Sequence, residues 1–133
     1  METPSLTEII KNSTVVVHPG RYVYLQGKEF EIKNHFFISQ DQDETTIVTE
    51  EENISQTTFS KEVKWFKLFE IKVSVPFLGV GLLAAITKAV ADKGLNILVV
   101  STFSKDYILV REKTYDTVIS CLKDIGFPVI KKD

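Results

Sequence analysis

The 133-residue chain, with 44% hydrophobic and 26% charged residues, has enough apolar side chain to fold as one ordinary domain or as two very small ones sharing a core, which excludes wholesale disorder. Its formal net charge of −2 and its scattered Lys and Arg leave no basic face for phosphate neutralisation, so nucleic acid is not an expected partner. A lone cysteine, Cys121, excludes an internal disulfide, and His18 and His35 have no Cys or His at ligand spacing around them, so neither a metal nor a cofactor is expected.

Met1 to Asn12 lacks the apolar stretch of a signal peptide, and no apolar run approaches the ~20 residues of a membrane span, so a cytoplasmic protein without a membrane partner is expected. Leu6 to Lys11 reads as a short helix, and His18-Pro19-Gly20 as a sharp turn, because Pro fixes φ and Gly tolerates positive φ. Strands are predicted over Tyr22 to Gln26, His35 to Gln40 and Thr45 to Glu50, the last two forming a hairpin around Asp41-Gln42-Asp43-Glu44. The polar stretch from residue 50 to residue 62 predicts a linker or long loop, which divides the chain into residues 1–62 and 63–133.

Beyond it, Trp65 to Val73 alternates with period 2 and reads as a strand that Pro76 ends. Leu82, Ile86, Ala89 and Val90 recur at helical spacing, with Gly94 placed to stop the helix. Asn96 to Thr102 and Tyr107 to Arg111 read as two strands joined by Ser104-Lys105-Asp106. A second amphipathic helix follows with Tyr115, Val118, Ile119, Leu122 and Ile125, Cys121 serving as a core filler and Gly126 as the stop. Phe127 to Ile130 closes the series as a short strand. The order strand, helix, strand, strand, helix, strand is the split βαβ arrangement of ferredoxin-like α+β folds. Because Ile97 to Val100 and Tyr107 to Val110 are apolar on both faces, the sheet side away from the helices also needs a cover, either the N-terminal half or a second copy of the chain.

Gly79-Val80-Gly81-Leu82-Leu83-Ala84 has the form G-x-G-x-x-A between a strand and a helix. A dinucleotide site also needs a further parallel strand ending in an acidic residue, whereas the next strand here reverses at once, so the fingerprint is rejected. The glycines have two readings: a tight turn alone, or a helix start whose spare N–H groups receive a carboxylate. The turn Ser101-Thr102-Phe103-Ser104-Lys105-Asp106 is expected to approach that loop, and together the two offer hydroxyls, amide donors, an aromatic face and a carboxylate, an inventory that suits a zwitterion. The plainer reading has Asp106 only stabilising its turn. No Ser, His and acidic residue cluster as a catalytic set, and the loop Val75 to Gly81 lacks the Arg with which acylphosphatases of the same topology hold phosphate. No enzyme activity is therefore expected.

Leu78 to Ile86, Gly94-Leu95-Asn96-Ile97, Ser101-Thr102-Phe103 and Asp106 to Val110 together resemble the ACT-domain pattern of small bacterial tandem ACT proteins, and are similar to half of the eukaryotic cytosolic arginine sensor. His18 to Tyr24 and His35 to Ser39 are similar to the first, smaller ACT-like unit of such proteins. The resemblance implies a ferredoxin-like βαββαβ ACT domain preceded by a smaller, incomplete, β-rich ACT-like unit. It implies a non-catalytic regulatory protein that binds an amino acid at an interface between ACT units, as a homodimer and with a regulated protein partner. It places the ligand against Phe77, Leu78, Gly79 and Val80 of the loop and against Ser101, Thr102, Phe103 and Asp106 of the turn. Many ACT domains serve only in assembly, so an interaction module without a small ligand is the alternative.

Overall fold

Ser5-Leu6-Thr7-Glu8 is a capping-box sequence, and the Ser5 hydroxyl accepts a 3.2 Å hydrogen bond from the Glu8 amide at the start of α1 (Leu6–Lys11). A computed structural model describes residues 4–30, 33–74 and 79–132. After α1 come β1 (Thr14–Val17), β2 (Tyr22–Phe30), β3 (Phe37–Gln40), β4 (Thr45–Glu50) and a 3-10 segment over Glu51–Gln56. Then follow β5 (Thr57–Lys72), α2 (Leu82–Ala91), β6 (Leu98–Ser101), β7 (Asp106–Arg111), a short 3-10 turn over Glu112–Thr114, α3 (Tyr115–Asp124) and β8 (Val129–Lys131).

The strand, helix and hairpin assignments from Leu6 onward hold, with two differences. β1 was not foreseen, because Val15, Val16 and Val17 are all buried and four residues without alternation carry no period-2 signal. The expected linker over residues 50–62 is instead the 3-10 segment followed by the first residues of β5. Thr57, Thr58 and Phe59 favour extended backbone, and Ser60 to Lys64 are polar or exposed on both faces, so a strand there reads as a loop. Pro76, assigned to end the strand, lies outside the described residues.

The chain forms two compact units, one of residues 1–19 with 67–133 and the other of residues 20–66, where the sequence reading divided it at 62/63. In the first unit β1 stands between β5 and β8. It is antiparallel to β5, with Thr14 opposite Lys72 and Val17 opposite Phe69, and parallel to β8, with Val15 opposite Val129. β7 pairs with β5 and with β6, giving the order β8-β1-β5-β7-β6. The terminal helix and strand thus belong to the same unit as the βαββαβ segment because β8 takes its hydrogen bonds from β1.

Val15, Val17, Phe69, Ile71, Ile108 and Val110 form one face of this sheet and pack with Ile9 and Ile10 of α1, Leu82, Ile86 and Val90 of α2, and Val118, Ile119 and Leu122 of α3. Burial of such a set, at about 25 cal/mol per Å², is what holds three short helices that would not persist alone. Val16, Leu68 and Leu109, of opposite parity, are buried too. Gly94 (φ 73°) and Gly126 (φ 113°) adopt the left-handed backbone that ends α2 and α3.

The second unit is β-rich, with the order β3-β4-β2-β5, all antiparallel. Val23, Leu25 and Ile47 form its small core with Phe30, Ile54, Phe59 and Trp65 around them. The turn between β3 and β4 is closed by Asp41, whose Oδ1 accepts from the amides of Asp43 and Glu44 at 2.8 and 2.9 Å. The fold is the expected α+β one, a ferredoxin-like unit accompanied by a smaller β-rich unit.

Candidate ligand site

Gly81 has φ 86°, a conformation open to glycine, and from it the chain turns directly into α2 with no side chain capping the helix. The Leu82 amide donates to the Gly79 carbonyl at 3.1 Å and the Ala85 amide to the Gly81 carbonyl at 2.9 Å. The amides of Leu83 and Ala84 have no backbone acceptor among the described residues, which is the usual condition of a first helical turn. Those donors, together with the positive end of the helix dipole, suit an anionic group.

The opposing wall is the turn between β6 and β7. The Thr102 amide donates to the Lys105 carbonyl at 2.8 Å and closes it. Ser101 and Asp106 are register partners, and the Ser101 hydroxyl donates to Asp106 Oδ1 at 2.7 Å. That bond fixes the carboxylate at the start of β7 with a neutral partner.

The two segments line one hollow of about 410 Å³, within the range that small-molecule sites occupy. Gly79, Val80, Ser101, Thr102, Phe103 and Asp106, six of the eight residues proposed from sequence, are all on its wall. Phe77 and Leu78 lie outside the described residues. Val80 and Phe103 are 84% and 85% exposed, so the hollow has an apolar rim open to solvent.

Val73, Gly81 to Ala84, Ser104 and Lys105 also line it and were not assigned from sequence. Lys105 is the most informative omission. Its Nζ lies 3.0 Å from Glu70 Oε2 on β5, while Glu70 Oε1 lies 2.9 Å from His18 Nε2. Only 7% of the Glu70 side chain is exposed. Burial pushes its pKa up, but hydrogen bonds and charge from Lys105 and His18 outweigh burial and hold it below the ordinary 4.5. The Lys105 ammonium is held above its ordinary 10.5 chiefly by its close contact with the Glu70 carboxylate, with Tyr107 adding to the effect. No local sequence signal joins residues 18, 70 and 105; only the sheet does.

Among the described residues no group of three or more His, Cys, Asp or Glu is placed to hold a metal, and no helix is long and apolar enough to cross a membrane. The strand after α2 turns back antiparallel onto β7, in keeping with rejection of the dinucleotide fingerprint.

Comparison with curated proteins yields no match. Among solved structures, protein Atu0741 from Agobacterium tumefaciens superposes with a TM-score of 0.77 at 19% identity, over 91% of this chain and 94% of that one. VC0802 from Vibrio cholerae, described as a possible transport protein, gives 0.75 at 19% identity over 91% and 95%. The regulatory subunit of aspartate kinase from Thermus thermophilus gives 0.60 at 7% identity over 88% and 97%. At such identities the likeness is one of fold. In sequence, residues 67–124, the span from β5 to the end of α3 that builds both walls of the hollow, match the ACT domain family.

Proposed function

We propose that this chain is a non-catalytic, cytoplasmic regulatory protein that binds an amino acid in the hollow between the start of α2 and the β6–β7 turn. The observation that carries this reading is the convergence, on a single hollow, of the Asp106 carboxylate with the first-turn residues Leu83 and Ala84, whose amides have no backbone acceptor among the described residues. An α-carboxylate would take the amides, and an amino or guanidino group would take Asp106. Gly79, Val80, Ser101, Thr102 and Phe103 would contact the remainder, with Phe77 and Leu78 completing the loop. The ACT match over this span and the likeness to a regulatory subunit of aspartate kinase support regulation rather than turnover.

Similarity to half of the eukaryotic arginine sensor would fit an acidic group at residue 106. The apolar rim of Val80 and Phe103, and β6, which pairs with β7 alone among the described strands, support closure of the site by a second copy in a homodimer. Ligand would then alter the affinity for a protein partner by binding its two states unequally.

A thermal-shift screen against the proteinogenic amino acids tests the proposal. A true ligand at about 100 times its Kd stabilises by roughly 2.7 kcal/mol, a rise of several degrees in Tm. Asp106→Ala is expected to abolish that rise while leaving the unliganded Tm within about a degree, as for a partly exposed turn carboxylate. An unchanged Tm with every amino acid, alongside a stable dimer by light scattering, would establish the interaction module instead, a reading that the exposed Val80, Val99 and Phe103 favour.

A further inference from the structure

Two charged side chains, Lys105 and Asp106, stand among the described residues that line the hollow, adjacent in sequence and opposite in sign. Counted by composition, they cancel. The structure treats them differently. Lys105 Nζ contacts Glu70 Oε2 at 3.0 Å, and Glu70 is buried and is not one of the lining residues. His18 Nε2 takes the other Glu70 oxygen at 2.9 Å, so the carboxylate is fixed from both sides. Asp106, by contrast, has the neutral Ser101 hydroxyl on its Oδ1, which orients the carboxylate without cancelling its charge.

An ion pair in contact acts at a distance as a short dipole, whose potential falls faster than that of a lone charge. The Lys105 charge is therefore largely spent on Glu70, and Asp106 sets the sign that the hollow presents. Drawing Lys105 away to meet a ligand carboxylate would leave Glu70 buried with His18 as its remaining partner, an arrangement that low-dielectric surroundings penalise.

We infer that Glu70, a residue outside the hollow, determines its charge specificity: by engaging Lys105 it leaves Asp106 as the acting charge, so that ligands with a cationic side chain are taken over acidic ones. This rests on the proposed binding of amino acids and names their class. Glu70 acts through Lys105 and touches no ligand; it is a positioning residue for the charge of the wall.

Titration calorimetry of the full chain with arginine, lysine, glutamate and aspartate as probes tests the inference in wild type, Glu70→Gln and Lys105→Met. Wild type is expected to favour the basic pair. Glu70→Gln keeps the shape of the side chain but removes its charge and turns one acceptor oxygen into an NH2 donor, which frees the ammonium and should move the basic-to-acidic affinity ratio toward the acidic pair by about tenfold, the usual worth of one charged hydrogen bond. Lys105→Met removes the ammonium from the wall and leaves the Glu70 charge unopposed beside it, so it should move the basic-to-acidic affinity ratio further toward the basic pair, and it decides the matter if Glu70→Gln does not fold. An unaltered ratio in Glu70→Gln, no basic preference in a wild type that does bind amino acids, or about a tenfold loss of basic-ligand affinity in Lys105→Met would each overturn this inference and leave the proposed function standing. Failure of the wild type to bind any amino acid would remove both.

Discussion

Glu70 is a charged residue near the end of β5 whose neighbours Leu68, Phe69 and Ile71 are fully or nearly fully buried, and its alternation with them marks nothing unusual in the sequence. Its position is sustained by two partners that arrive from other elements, His18 after β1 and Lys105 before β7. The stability it contributes follows from its depressed pKa. With a folded value below the ordinary 4.5, the contribution is complete above that pH and is lost as pH falls through the folded value. Lys105 runs the other way, its contribution complete below 10.5 and lost as pH rises through the elevated folded value. Urea denaturation at a series of pH values should therefore show Glu70→Gln with a shallower loss of stability than wild type below pH 4.5. Curves of equal slope would mean that the ion pair is not maintained in solution.

At the scale of elements, the join between α1 and the end of β5 is made by Ser13, a fully buried hydroxyl. It donates to the Ile9 carbonyl at 2.5 Å and accepts from the Ser74 amide at 3.1 Å, satisfying two backbone groups that have no ladder or helix partner among the described residues. Ser13→Ala is expected to destabilise the protein by about 1–3 kcal/mol, the cost of leaving buried backbone groups unsatisfied, measured as a shift of the urea midpoint at constant m-value. β1 itself illustrates where sequence reasoning stops. The amphipathic helices α2 and α3 show their faces through Leu82, Ile86, Val90 and through Val118, Ile119, Leu122, because one side of each meets water. A strand buried on both faces has no such contrast, and Thr14–Val17 is too short for length to reveal it. β5 fails in the opposite way, since Ser60 to Lys64 meet solvent on both faces.

At the scale of the whole molecule, β8 depends on residues more than a hundred positions earlier in the chain, through the parallel pairs from Val15 with Val129 to Val17 with Lys131. A fragment of residues 63–133, the division read from sequence, should therefore lack a cooperative thermal transition by circular dichroism. Residues 1–19 joined to 67–133 by a short turn should recover one, because the His18 amide already donates to the Leu68 carbonyl at 2.9 Å. A cooperative transition in the shorter fragment would show that β1 is dispensable. The sequence by itself determined the βαββαβ order, the two helix faces, the glycine stops and the two segments that carry the hollow, since each is written in local periodicity, turn chemistry or a short motif. The tertiary structure alone decided that β1 enters the sheet between β5 and β8 and that Lys105 is spent on Glu70. Both are pairings across long sequence separations, chosen by backbone hydrogen bonding and charge burial in the assembled sheet, and neither leaves a local pattern to read.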